Sequence, residues 1–330
     1  MISAITGANG FIGSHLVEHI LGRGHVVRCL VRKTSDLRWL KGLNVEYIEG
    51  DLSSEDALAR LVTGADYVFH NAGLTKAKTK EEYFQANTTG TENVLAATVK
   101  HNPTVRRFVH VSSGTAAGPS PTPTPITEEA EPHPITTYGR SKLAAEQAVL
   151  RAANTIPVTI CRPPAVYGPR DKDVFEFFKT LDGGLQPMVG FNSKLVSMVH
   201  AGDLVRGMVM AAESPVAAGK VYFISSAVVY DWKQLGIITR SALGKYALPV
   251  RVPEFGVYAI AAVAEFLSLF SSAPALINFE KARDMVQDYW TSDSSRAKVD
   301  FGYEQRISAE DGIRETIAWA RSMGWLKPAR

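Results

Sequence analysis

Tyr138 and Lys142 stand four residues apart in Tyr138-Gly139-Arg140-Ser141-Lys142, a spacing that places a phenol and an ammonium on one face of a helix. A fixed cation favours the phenolate, so the pair predicts a tyrosine drawn down from its ordinary pKa of about 10 toward the working range of a general acid or base. Ser113 follows the β-branched run Phe108 to Ser112, which puts a hydroxyl at the carboxyl end of a strand, where a parallel sheet holds its ligand. A second cluster is Gly7-Ala8-Asn9-Gly10-Phe11-Ile12-Gly13. Glycines at that spacing, between a short strand and a helix, let backbone approach a pyrophosphate while the helix start offers unpaired N–H donors. After the second strand, where an acidic residue would bind a free ribose 2′-hydroxyl, the chain has Arg32-Lys33. Cations there suit a 2′-phosphate and predict NADP, with NAD possible; the plainer alternative is a solvated basic turn. Asp51, in Gly50-Asp51-Leu52, either reaches the adenine or caps the helix opening at Ser53.

These residues need a scaffold, and the hydrophobic rhythm supplies one. Short β-branched runs near 2–6, 25–31, 45–49, 66–70, 105–112 and 156–162 alternate with helical patterns near 10–22, 54–62, 81–101 and 138–153. That alternation is the pattern of βαβ units, and predicts a doubly wound α/β parallel sheet over residues 1–162. From 163 onward Pro163-Pro164, Gly168-Pro169 and Gly183-Gly184 punctuate a stretch dominated by helical patterns near 172–181, 202–213, 231–243, 254–270, 278–287 and 308–322. A smaller, mostly helical substrate domain over 163–330 is expected, with about 197–225 returning to the sheet. Residues 119–134 carry six prolines and predict a stiff, non-helical loop.

The 330 residues can bury a real core. With 36 basic against 33 acidic side chains, 45% apolar and 21% charged residues, the chain has the profile of a globular protein with no clustered basic face for nucleic acid. Its two cysteines, Cys29 and Cys161, lie far apart in apolar runs and build neither a disulfide framework nor a zinc knuckle; a reducing cytoplasm is expected. The start of the chain does not read as a signal peptide. His15-Leu16-Val17-Glu18-His19 matches a zinc-peptidase string, but it falls in the helix after the glycine turn, and no metal is expected. Residues 255–277 carry one charge, Glu265, and are long enough to span a bilayer. Pro253, Pro274 and the serines near the end favour a helix packed on the substrate domain, a lid over an apolar substrate or a peripheral membrane contact.

Together these motifs resemble an extended short-chain dehydrogenase/reductase of the NAD-dependent epimerase/dehydratase superfamily, closest in pattern to its 3β-hydroxysteroid dehydrogenase and dihydroflavonol reductase branch. The resemblance also takes in His70-Asn71-Ala72-Gly73, Asn87-Thr88-Thr89-Gly90-Thr91, Arg162-Pro163-Pro164-Ala165-Val166-Tyr167-Gly168-Pro169 and Val199-His200-Ala201-Gly202-Asp203. It implies that Tyr138 is the general acid/base, that Lys142 holds the nicotinamide ribose and that Ser113 binds the reacting oxygen. Leu52, Asn71, Ala72, Gly73, Asn87 and Pro163 would line the cofactor, and Thr115, Ala165 and Arg170 would face the substrate. Sugar-nucleotide members carry Asn where this chain has Ala165, which favours a medium-sized, partly apolar substrate, although Arg170, Arg240, Arg251 and Arg296 are available for a diphosphate. The expected activity is NADP(H)-dependent interconversion of a secondary alcohol and a carbonyl by a homodimer. The alternatives are a sugar-nucleotide epimerase or dehydratase and a non-catalytic dinucleotide sensor, against which the intact acid/base set argues.

Overall fold

The computed structural model describes residues 1–268 and 278–327. Its first part runs β1 (Ile2–Thr6), α1 (Phe11–Leu21), β2 (Val26–Val31), β3 (Glu46–Glu49), α2 (Glu55–Val62), β4 (Tyr67–His70), α3 (Lys80–Phe84), α4 (Gly90–His101), β5 (Arg107–Val111), α5 (Gly114–Ala117), α6 (Thr137–Arg151) and β6 (Val158–Arg162). The remainder is β7 (Ala165–Tyr167), α7 (Phe175–Asp182), β8 (Leu185–Val189), β9 (Leu195–His200), α8 (Ala201–Glu213), β10 (Lys220–Phe223), β11 (Val229–Asp231), α9 (Trp232–Leu243), β12 (Leu248–Val252), α10 (Glu254–Ser268), α11 (Phe279–Met285), β13 (Tyr289–Trp290), α12 (Ser295–Phe301) and α13 (Ala309–Ser322).

Seven strands form one sheet in the order β10-β6-β5-β4-β1-β2-β3, and each pairing in it is parallel. Strands β4, β5 and β6 are buried on both faces, as a parallel sheet covered by helices requires. Alternate residues feed two cores. Ile5, Phe69 and Val109 pack with Leu16 and Val17 of α1 and Leu204 and Met208 of α8. Ala4, Val68 and Phe108 pack on the other face with Leu58 and Leu61 of α2, Val94 of α4 and Val149 of α6. The strand order reverses beside β1, and it is there that a doubly wound sheet opens its ligand crevice.

One expectation needs correction. The helix expected over 81–101 is α3 and α4 joined by a π-turn, Gln85–Thr89, which widens the helix at Asn87. The part after residue 163 is mostly helical, as expected, and carries two small sheets besides: β9 pairs with β7, β11 and β13, and β8 pairs with β12. The return to the main sheet is seen, because β10 pairs with β6 and α8 lies in the core beside α1. No helix forms between Ala117 and Thr137, in keeping with the proline-rich loop. The helix expected over 254–270 is described as far as Ser268, and the rest of the apolar run to 277 lies outside the described residues. Among the described residues no helix is long and apolar enough to cross a membrane.

Candidate active site

The glycine turn has a separate steric reason at each end. Gly7 has φ +68°, and a Cβ on it would come within 2.8 Å of the Ala72 amide. A Cβ on Gly13 would sit 2.0 Å from the Gly7 carbonyl oxygen. Gly10 is the N-cap of α1, where no side chain caps the helix and the first turn holds no acidic residue. The N–H groups at the start of α1 therefore keep their donor capacity and the positive end of the helix dipole is uncompensated, which fits an anion such as a pyrophosphate. Asn9 donates to the Asp36 carbonyl (3.3 Å) and ties the turn to the loop that follows β2. In that loop Arg32 and Lys33 are exposed, and Arg32 N–H donates to Ser35 Oγ (3.0 Å). The Asp51 carboxylate accepts from Ser53 N–H (2.8 Å) and from the Ser53 and Ser54 hydroxyls, bonds that hold its carboxyl below the usual range. Of the two roles expected for Asp51, the turn-capping one is visible.

The floor of the crevice is built by β4 and the π-turn. Ala72 N–H donates to Thr6 Oγ1 (3.2 Å) and Asn71 to the Gly7 carbonyl (3.4 Å). Buried Asn87 accepts from Leu74 N–H (2.7 Å) and donates to the Leu74 carbonyl (3.0 Å) and Ser141 Oγ (2.9 Å). A Cβ on Gly73 would meet Asn87 Oδ1 at 2.8 Å. Asn87 thus pins the loop after β4 to α6, with Leu52 packed against Gly90.

The acid/base residues converge above this floor. Tyr138 lies in the first turn of α6, partly buried, with the Ser113 side chain close enough to draw its pKa down. Ser113 is the N-cap of α5 and accepts from Thr115 N–H (3.3 Å) and Thr115 Oγ1 (2.9 Å); its own proton is therefore directed elsewhere. Gly114 N–H donates to the Pro163 carbonyl (2.7 Å), fixing this turn to the end of β6. Lys142 is buried and donates from Nζ to the Val111 carbonyl (2.7 Å). Burial pushes its ammonium down to about 8 against the partial opposition of Glu146.

The expectation of an acidified phenol is corrected. Burial is the largest influence on Tyr138 and pushes it up to about 12, with Ser113 pulling only partly against it. The phenol of this protein is held protonated. Arg170 is also not a free substrate clamp: it donates to Ser14 Oγ (3.0 Å) and Glu18 (2.6 Å) and lies over the Trp39 ring. Arg296 is engaged by Glu128 and Glu129, Arg251 by the Gly190 and Phe191 carbonyls and Arg240 by the Ala247 carbonyl. Of the two histidines in the zinc-like string, His15 is turned to the Pro169 carbonyl (2.8 Å). Ala165 opens β7, paired with Met198.

Sequence reasoning missed the support beneath the site. Glu146 and Arg162 form a buried ion pair, Nη2 to Oε2 at 2.6 Å and Nε to Oε1 at 2.9 Å, and the Ser112 hydroxyl donates to the same carboxylate. Glu146 follows Lys142 by one helical turn, so the run 138, 142, 146 was a readable signal. Also missed were Tyr83, whose ring centroid is 6.2 Å from that of Tyr138, and the acidic residues of α11. Only the folded chain brings those close.

A doubly wound sheet with an uncapped glycine turn at its switch point and a Ser-Tyr-Lys set beside it defines a nicotinamide-dinucleotide enzyme. The chain belongs to the NAD-dependent epimerase/dehydratase family, whose model matches residues 3–225, and it is an NAD(P)-dependent enzyme of the reductase and dehydrogenase type. It is 31% identical to a ceramide reductase of Caulobacter vibrioides, over 98% of this chain and 96% of that one. It is 28% identical to a 3β-hydroxysteroid dehydrogenase/Δ5→4-isomerase of Mycobacterium tuberculosis, over 97% and 90% of the two chains. In fold it is similar to a dTDP-glucose 4,6-dehydratase of Streptomyces venezuelae solved with NAD, with a TM-score of 0.80 at 24% identity and full coverage of both chains.

Proposed function

We propose that the protein is an NADP(H)-dependent reductase that interconverts a ketone and a secondary alcohol on an apolar, lipid-like substrate. The observation that carries this reading is the convergence of Ser113, the N-cap of α5, on Tyr138 of α6, one helical turn before buried Lys142. The cofactor supplies the hydride that goes to the carbonyl carbon. Tyr138, protonated at neutral pH, gives its proton to the oxygen, and Ser113 donates a hydrogen bond to that oxygen as charge develops. Gly7, Asn9, Gly10, Phe11, Ile12 and Gly13 hold the pyrophosphate. Asp51 and Leu52 border the adenine side, Asn71, Ala72, Gly73, Asn87 and Pro163 line the channel, and Lys142 binds the ribose. Arg32 and Lys33, with no carboxylate paired to either among the described residues, hold the 2′-phosphate.

The apolar substrate is supported by Ala165, by the names of the two relatives and by α10, which leaves Phe255, Ile260, Val263 and Leu267 exposed. We assign α10 a peripheral contact with a lipid surface, and the chain a cytoplasmic, homodimeric state through α4 and α6, which sedimentation would test. The reaction is tested by incubating the protein with NADPH and either long-chain ketones or UDP- and GDP-sugars. Net NADPH oxidation with the ketones alone is expected; unchanged cofactor and a new sugar stereoisomer would replace the reductase with an epimerase. Arg32→Ala tests the cofactor choice: a charge-assisted phosphate contact predicts about tenfold to a hundredfold weaker NADPH binding with NADH unaffected. Equal loss for both cofactors would remove the assignment.

A further inference from the structure

A buried chain of hydrogen bonds runs beneath the crevice from the end of β1 to the π-turn, and its middle link is an imidazole. His70 closes β4, in register with Thr6 of β1 and His110 of β5. Its Nδ1 lies 2.7 Å from Thr6 Oγ1, and its Nε2 lies 2.9 Å from Thr91 Oγ1 on α4. The His110 ring stacks on it with centroids 5.5 Å apart. Thr6, His70 and Thr91 are fully buried, so each polar atom in the chain has to find its partner within the protein.

The polarity of the chain follows from its ends. The Thr91 hydroxyl donates to the Asn87 carbonyl (2.6 Å), so toward His70 it can only accept, and Nε2 carries a proton. Burial and the Lys142 ammonium push the imidazolium down to about 3, which leaves the ring neutral and Nδ1 an acceptor. Thr6 therefore donates to Nδ1, while its oxygen accepts from Ala72 N–H (3.2 Å). From Ala72 N–H through Thr6 O–H, the imidazole and Thr91 O–H to the Asn87 carbonyl, every donor points the same way, an arrangement in which each bond polarises the next.

Each end of this run meets a different part of the crevice. Thr6 immediately precedes Gly7, whose approach to Ala72 leaves no room for a Cβ; the Thr6 hydroxyl thus sets the spacing between the glycine turn and the loop after β4. Asn87, at the other end, holds that loop through Leu74 and reaches Ser141 of α6. His70 is enclosed and acts only through these groups.

We infer that His70, as its neutral Nε2–H tautomer, is a positioning residue for the dinucleotide, keeping the glycine turn, the loop after β4 and the Asn87 turn in register as the walls of the cofactor crevice. The inference rests on the assignment of the glycine turn to the pyrophosphate made above. Because NADPH and NADH share that group, the effect falls on both.

The test titrates NADPH and NADH into the folded protein, well below the unfolding temperature of each variant. His70→Phe keeps a planar ring and removes both nitrogens, so binding of both cofactors should weaken about tenfold or more. His70→Asn, which returns an acceptor near the Nδ1 position, should recover part of the loss. Thr91→Val, which breaks the run at the π-turn end, should weaken both cofactors severalfold. If His70→Phe does not fold, the Asn and Thr91 variants carry the test, with both affinities expected below the wild type. Lower thermal stability with both affinities unchanged would make the chain a packing feature only and overturn the inference. In nitrogen NMR of histidine-labelled protein at neutral pH, the signals that His70→Asn removes should be those of an Nε2–H tautomer; an Nδ1–H tautomer or an imidazolium would overturn it too. Gly10→Val separates the inference from the reading beneath it. A Cβ there meets nothing nearer than the Gly7 carbonyl oxygen at 3.3 Å, so the side chain fills the phosphate position and should abolish binding. Full binding by Gly10→Val would bring down the cradle and the inference together, whereas its loss beside full binding by the His70 and Thr91 variants would remove the inference alone.

Discussion

Helices α6 and α10 are built by opposite rules. In α6 the residues Ser141, Lys142, Ala145, Glu146 and Val149 are buried, and polar groups among them are matched: Lys142 to a strand carbonyl, Glu146 to Arg162 and Ser112, Ser141 to Asn87. In α10 only Val257 and Ala261 are buried, and most of its apolar side chains face outward. A helix that is apolar beyond its packed stripe belongs against something other than water. The contrast separates two tasks. Holding a cofactor and a proton donor in register demands a helix whose every inward group is satisfied, while the proposed contact of α10 with an apolar phase requires a surface only partly covered by the protein itself.

The largest effect expected lies on the α6 side. Tyr138→Phe removes only the phenolic O–H, so turnover should fall by about 10²–10⁴-fold while NADPH affinity is kept, as measured by single-turnover kinetics alongside cofactor titration. Full activity in this variant would place the proton donor elsewhere. Next comes the support beneath it. Glu146→Gln leaves Arg162 as a buried, uncompensated charge, and removal of one partner of such a pair costs about 3–5 kcal/mol. Urea denaturation should register that loss; a change within error would mean that water reaches Arg162 and that the rigid half of the comparison is softer than its packing suggests.

The pH dependence tests the same helix through Lys142. Its ammonium is pushed down to about 8 by burial, so the free protein holds the charge below that pH and loses it above. If the charge binds the ribose, kcat/KM for NADPH should be level below pH 8 and fall about tenfold per unit above it. The stability sign runs the other way. The unfolded chain keeps its lysine proton to about pH 10.4, so the burial penalty is present in full below pH 8 and is relieved as pH rises through that window. A rate profile flat to pH 10 would show that Lys142 is not needed in its charged form.

The sequence discloses the α6 side far better than the α10 side, for a physical reason. The glycine turn, the 138/142 pair and Ser113 are local patterns, and their spacing alone implies which groups share a face. The fully buried strands β4, β5 and β6 are apolar enough to declare themselves. By contrast β7 and β11 are three residues each, and they are strands only because β9 pairs with both. The Glu280–Thr137 contact joins residues 143 positions apart, which no periodicity encodes. The π-turn at Asn87 is equally silent, since its cause is the pairing of that side chain with Leu74 and Ser141. The acidity of Tyr138 is not legible from spacing, which shows a lysine one turn away but neither the burial that raises the phenol nor the Val111 carbonyl to which Lys142 Nζ is turned.

The smallest effect expected is the sharpest test of the contrast, because it sets one residue type against itself in the two regions. Leu61 on α2 is fully buried, whereas Leu267 on α10 is 61% exposed. Leu61→Ala should cost about 2–5 kcal/mol through lost transfer energy and a cavity, while Leu267→Ser should change stability by no more than about 0.5 kcal/mol, as for other exposed sites. If α10 rests on a lipid surface, the ranking inverts in a flotation assay with phospholipid vesicles: burying a leucine in an apolar phase is worth about 1.5–3 kcal/mol, so Leu267→Ser should lose vesicle association that the wild type shows. Denaturation losses of similar size for the two variants would mean that the outward face of α10 is covered by protein, most simply by a second copy of this chain. In that case the region with partly covered apolar surface would be a second packed core, and the division of labour between α6 and α10 would dissolve.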